Sequence, residues 1–216
     1  VTWNYNGTLL KDSYTYYLWN FDSSDRAREA VTGKRLGSVS ETVAGFGDRA
    51  AVMYLDLSNM KMQFPNSSWT LEFWYENINS DPHSVSNIQM KNIFNAWINK
   101  NSTSNSSNID SEYFYQDMNN DFGSIWYNVQ FSRDDASSWH HYALVCDGSS
   151  FMVYIDGMMR YKSDGDKPSV KISDGLFISM PDKAYIDELR ISNKARSADE
   201  LWTYNKYVRD RNLIPQ

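Results

Sequence analysis

Apolar and aromatic residues gather along this chain in short runs with a period of two, and the clearest run occupies residues 139–162. Residues 139–146 and 151–156 are rich in aromatic and β-branched types, which pack well on a pleated surface. Between them stands Asp147-Gly148, a pair suited to the positive-φ positions of a tight hairpin turn. Asp156-Gly157 follows and turns the chain into residues 158–162. Two tight turns at this spacing predict an antiparallel meander and exclude a helical bundle or a parallel βαβ sheet.

The same periodicity predicts strands over 16–22, 50–57, 61–64, 69–76, 92–99, 113–115, 123–132, 171–173, 176–180 and 184–191. Residues 1–14 read as a polar lead-in, 23–37 as a polar loop with one helical turn, and 77–86 as a loop around Pro82. The stretch 99–111 is low in complexity and too polar to pack, which predicts a long exposed loop. Ser197 is a suitable N-cap, and Glu200 is spaced for a capping box, so a helix is expected from there to about Arg209. Leu201, Tyr204 and Val208 form a stripe at helical spacing, suited to docking on the domain's own sheet. No internal repeat or domain boundary is visible, so residues 1–216 read as one domain with its core at about 15–200.

The segments WHHYALVCDGSS, VYIDG, AYIDELRIS and ARSADEL, in that order, resemble the laminin G-like branch of the concanavalin A-like lectin/glucanase superfamily. Upstream, residues 17–22 look like the family's opening strand, 46–56 like its "FG…A…LDL" segment, and SWTLEFWY at 68–75 like its "sFTlefWv" strand. The resemblance implies an all-β fold: a jelly-roll sandwich of two antiparallel sheets with a short C-terminal helix. Members range from enzymes to lectins to structural parts, so function must be argued from the sites.

Bulk composition narrows the field. A chain of 216 residues with 41% hydrophobic content can bury a sizeable core. The net charge of −6, with no cluster of Lys and Arg, argues against nucleic acid. No apolar run approaches the roughly 20 residues needed to span a bilayer, so no membrane insertion is expected. Cys146 is the only cysteine and lies in an apolar strand, which predicts a buried structural thiol. The lack of a disulfide framework leans toward a bacterial or viral origin. Four Asn-x-Ser/Thr sequons, at Asn6, Asn66, Asn101 and Asn105, follow from a composition rich in Asn and Ser.

Glucanases of the superfamily carry an E-x-D-x-x-E pattern on one strand, which aims an acid and a nucleophile at one bond. That triplet is missing, Asp187-Glu188 sends its carboxylates to opposite faces, and Glu72 and Glu76 share a face with Trp74 between them. No enzyme activity is therefore expected. His140 and His141 diverge on a strand and lie far in sequence from His83, so they read as framework rather than zinc ligands. The 117–123 stretch alternates oxygen ligands but lacks the EF-hand glycine and glutamate. The resemblance implies a structural calcium ion held by Asp22 and Asp187, with Asp25 nearby, because first and last strands lie together in such jelly rolls.

A sugar site needs aromatics to stack on C–H faces beside amides and carboxylates. Tyr113, Phe114, Tyr115 and Trp126, with Asn119, Asn120 and Asp121, have that makeup, as do Trp97, Asn99 and Asn101. The expected ligand-binding set is Tyr113, Tyr115, Trp126, Asn119 and Asp121. The expected function is a non-catalytic binding or adhesion module for a glycan or a surface protein, part of a larger bacterial or phage surface protein. The alternative is a phage virion component, a capsid decoration or tail part that self-associates or contacts virion neighbours. Either role places the chain outside the cell, on a cell surface or in a virion.

Overall fold

A computed structural model of the chain describes residues 3, 5, 7–21, 30, 31, 33, 38–44, 50–56, 62–63, 68–77, 85–90, 94–102, 109–117, 124–132, 139–162, 172–173, 176–179 and 184–213. Its strands begin with β1 (Thr15–Trp19), β2 (Ser38–Ala44), β3 (Ala50–Asp56), β4 (Met62–Gln63) and β5 (Ser68–Asn77). Next come β6 (Val85–Met90), β7 (Phe94–Ser102), β8 (Ile109–Asp117), β9 (Ser124–Ser132) and β10 (His140–Asp147). The last are β11 (Phe151–Ile155), β12 (Met158–Lys162), β13 (Ile172–Ser173), β14 (Leu176–Ser179) and β15 (Ala184–Ser192), before helix α1 (Ala198–Asp210). The architecture is thus antiparallel β-sheet with one short C-terminal helix, as the periodicity predicts.

Thirteen strands are hydrogen-bonded in the order β12-β11-β10-β5-β15-β3-β14-β6-β7-β8-β9, with β1 on β15 and β2 on β3; β4 and β13 pair separately. A single pair, Ile186 with Val52, joins β15 to β3. One pair leaves each half of the sheet with its own register, so faces are counted within each half. The first and last strands do lie side by side, Trp19 opposite Leu189 and Tyr17 opposite Ile191.

Central strands β5, β10 and β11 are buried on both faces, which explains their near-continuous apolar runs. On one face Leu71, Phe73 and Tyr75 meet Leu144 and Tyr142, with Phe73 and Tyr142 stacked 5.7 Å apart. Cys146, opposite Trp69, is fully enclosed there, and burial pushes its thiol pKa up. Helix α1 covers part of the other face. Leu201 closes over Ala143, Val145, Met152 and Tyr154, while Tyr204 and Val208 pack with Trp74, Trp139 and Tyr185. The apolar stripe therefore docks on the domain's own sheet, and the Ser197–Glu200 capping box starts the helix.

Both Asp-Gly turns form. At Asp156 and Gly157, φ is 53° and 76°, the two positive values of a type I′ hairpin. At the other, Asp147 Oδ1 accepts from the Ser149 and Ser150 amides and only Gly148 of the pair has positive φ, at 87°. Arg160 is an extra residue between the pairs Val153–Tyr161 and Tyr154–Met159, so β12, at one end of the order, carries a β-bulge.

Three expectations are corrected. Strands β2 and β6 lie where none was predicted, because SVSETVA and VSNIQM alternate with small polar residues instead of marked aromatics. The 99–111 stretch is not one loop: Asn99, Lys100, Asn101 and Ser102 pair with Tyr113, Glu112, Ser111 and Asp110. Backbone ladder bonds hold polar residues in a strand when one face need not be buried. Residues 1–14 are not a mere lead-in, since Leu9 is buried and its amide donates to Glu188 Oε2 at 2.7 Å.

Candidate functional site

The unbulged register of β6 to β9 sorts their residues into two contrasting faces. One face carries Ile88, Ala96, Ile98, Phe114, Ile125, Tyr127 and Val129, an apolar majority with Gln116, Lys100 and Glu112 among them. The opposite face carries a cross-strand row of three aromatics, Trp97 opposite Tyr115 opposite Trp126. Two positions along the strands on one side the row is Asn99, Tyr113 and Asn128; on the other it is Asn95, Asp117 and Ser124. β6 adds Asn87 opposite Trp97 and Gln89 opposite Asn95.

Register therefore brings Tyr113, Tyr115 and Trp126 onto one face and places Trp97, Asn99 and Asn101 on the same face. Two groups separate in sequence are one group in the sheet. Phe114 falls on the other face, while Asn119 and Asp121 lie outside the described residues. Asn87 and Gln89 escaped sequence reading because their strand did; the alternation of VSNIQM was the available signal.

Asp187 is fully buried at a bulge in β15, where its Oδ1 accepts from the Glu188 amide at 2.8 Å and Glu188 adopts φ 52°. Its proposed calcium partner Asp22, and Asp25, lie outside the described residues. Among the described residues no three His, Cys, Asp or Glu gather as a metal site.

Beneath α1 lies a buried ionic cluster. Glu72 Oε1 accepts from Arg190 Nε at 2.8 Å and lies 3.1 Å from Arg196 Nε, and its Oε2 lies 3.4 Å from His141 Nε2. Burial raises the Glu72 pKa, but Arg190, His141 and Arg196 more than offset it and hold the carboxyl well below its usual range. Arg196 also reaches Asp12 at 3.0 Å, tying the N-terminal segment to the cluster. His140 Nδ1 bonds Asp156 Oδ2 at 2.7 Å, and Arg209 from the helix reaches Asp156 Oδ1 at 2.9 Å. Burial opposes ionisation of Asp156, yet the His140 hydrogen bond and charge, with Arg209, bring its pKa down to about 2. Burial raises Glu76 to about 7 against the pull of His140. Both adjacent histidines are thus spent on internal partners, and Glu72 is enclosed between guanidinium groups. These are the bonds of a framework around a carboxylate that is itself fully buried.

A family model of the laminin G kind, described as the concanavalin A-like lectin/glucanases superfamily, matches residues 50–201. The chain belongs to that superfamily. Its fold is accordingly the jelly-roll sandwich that the strand motifs imply. None of the curated proteins matches the chain in sequence. Among solved structures, the superfamily fold is shared with domain 4 of AbnA, a GH43 extracellular arabinanase from Geobacillus stearothermophilus, in complex with arabinotriose. Identity is 16% and the TM-score 0.60, over 90% of this chain and 100% of that one. The binding domain of Paraclostridial Mosquitocidal Protein 1 matches at 12% identity and TM-score 0.59, over 94% of this chain and 53% of that one. The binding domain of botulinum neurotoxin DC, in complex with rat synaptotagmin II, matches at 15% and 0.54, over 91% and 52%. The chain thus spans about half the length of each toxin domain. At such identities the likeness is one of fold.

Proposed function

We propose that this chain is a non-catalytic carbohydrate-binding domain that holds its ligand on the polar face of β6 to β9, in a secreted or surface-exposed protein. The observation that carries this reading is the row Trp97–Tyr115–Trp126 with amide-bearing positions beside it. Indole and phenol rings stack on the apolar C–H faces of sugars, and amides donate to and accept from their hydroxyls. The arabinotriose complex of the AbnA domain supports a sugar ligand for this fold. Calcium at Asp22 and Asp187 is proposed as a structural supplement.

A glycan array followed by titration calorimetry, with calcium and with chelator, tests this. Trp126→Ala is expected to weaken binding about tenfold or more, with an unchanged melting temperature. An array silent under both conditions would overturn the reading. A second reading, a structural part acting through protein contacts, is favoured by one feature. Met158, Met159 and Trp202 are exposed, and Gly157 lies against the Trp202 backbone. Concentration-dependent self-association, lost in Trp202→Ser, would support it.

A further inference from the structure

The aromatic triplet is the end of a longer line. From Trp97 the row continues through Asn87 on β6 and Ser179 on β14 to Tyr54 on β3 and Ser40 on β2. It crosses seven strands without a register shift in any of these pairings. At about 4.8 Å per strand spacing, the path from Trp126 to Tyr54 covers about 24 Å, whereas the triplet alone covers about 10 Å. Aromatic residues thus stand at two stations, the triplet and Tyr54, with the small polar Ser179 and the amide of Asn87 between them.

Charge along this line is equally one-sided. In the neighbouring row, Asp56 and Asp117 are the acidic positions, and Phe177, Gln89 and Asn95 lie between them on β14, β6 and β7. Neither Lys nor Arg occupies a position in these two rows. An acidic glycan is held by guanidinium and ammonium groups, and two carboxylates would repel it. A neutral chain meets no such penalty and satisfies the amides and hydroxyls it passes.

We infer that this row is the track of a neutral, extended polysaccharide laid across the strands and gripped at two aromatic stations. The inference rests on the carbohydrate reading above and adds charge class, direction and length to it. A short oligosaccharide engages the triplet alone; a longer one gains a second grip when it reaches Tyr54.

The test is calorimetry of the purified domain with neutral linear arabino-, xylo- and gluco-oligosaccharides of about two to eight units, and with oligogalacturonates as the acidic probe. For one neutral series, affinity should climb about tenfold or more from the shortest to the longest member. Tyr54→Ala should remove that gain and leave short-chain affinity intact, whereas Trp126→Ala should weaken both. Should Tyr54→Ala fail to fold, Ser179→Trp, which obstructs the line midway, should remove the gain in the same way. Affinity independent of length, or tighter binding of the acidic chains, would overturn this inference and leave the carbohydrate reading standing. No binding to any of these glycans or on the array would overturn the reading itself.

Discussion

Glu72 shows how a residue type that suggests chemistry serves structure. Its carboxylate lies between Arg190 and Arg196 with His141 alongside, and the residue is 0% exposed. Removing it takes from two buried guanidinium groups the carboxylate they share, so Glu72→Ala is expected to cost about 3–5 kcal/mol of stability. Urea unfolding measures this directly, and a loss below about 1 kcal/mol would mean that water reaches the cluster and shares its charge. The sequence suggested that Glu72 was no glycosidase acid, because Trp74 separates it from Glu76 on the same face. It did not show what holds Glu72 instead. Arg190 and Arg196 lie more than a hundred positions downstream, and Asp12 sixty upstream. Only the fold unites them.

Among the elements, the type I′ turn into β12 and helix α1 depend on each other. A Cβ on Gly157 would stand 2.8 Å from the Trp202 Cα and 3.0 Å from the Leu201 carbonyl oxygen, at a φ of 76°. Gly157→Ala therefore meets both left-handed backbone strain of about 1–2 kcal/mol and overpacking of about 1–3 kcal/mol. A total loss of about 2–5 kcal/mol in thermal or urea unfolding is expected; a neutral substitution would show that the helix yields without cost. The turn, the meander and the capped helix were legible because each rests on neighbours in sequence: Asp-Gly pairs, β-branched alternation, Ser197 with Glu200. The sheet of β6 to β9 was less so. Its polar face reads locally as loop, and the meaning of Trp97 beside Tyr115 depends on a hairpin whose ends lie outside the predicted strands.

For the whole molecule, two carboxylates set opposing limits on stability with pH. Asp156 ionises at about 2 in the fold against an ordinary 3.8, so its stabilisation is complete above pH 3.8 and is lost as pH falls toward 2. Glu76 is held at about 7 against 4.5, so the folded chain keeps a proton that the unfolded chain releases. Stability from this group falls as pH rises from 4.5 to 7. The melting temperature is expected to peak near about pH 4–5. Asp156→Asn, whose side chain tolerates the left-handed turn, should make the acid limb shallower while Glu72 still contributes to it, and Glu76→Gln should flatten the neutral one. If neither variant changes its limb, the two groups do not govern the profile. Family and fold class were legible from dispersed motifs, whereas the ligand face required the register of whole strands. Trp3 packs on Tyr204 and Tyr207, the Tyr207 hydroxyl donates to the Tyr5 carbonyl, and Leu213 joins the same apolar cluster. Residues 3–5 and 204–213 are therefore clasped at one place. An engineered piece of residues 3–213, joined end to end by a short linker at this clasp and opened at the turn 147–149, would be a permuted domain able to sit inside another protein's loop.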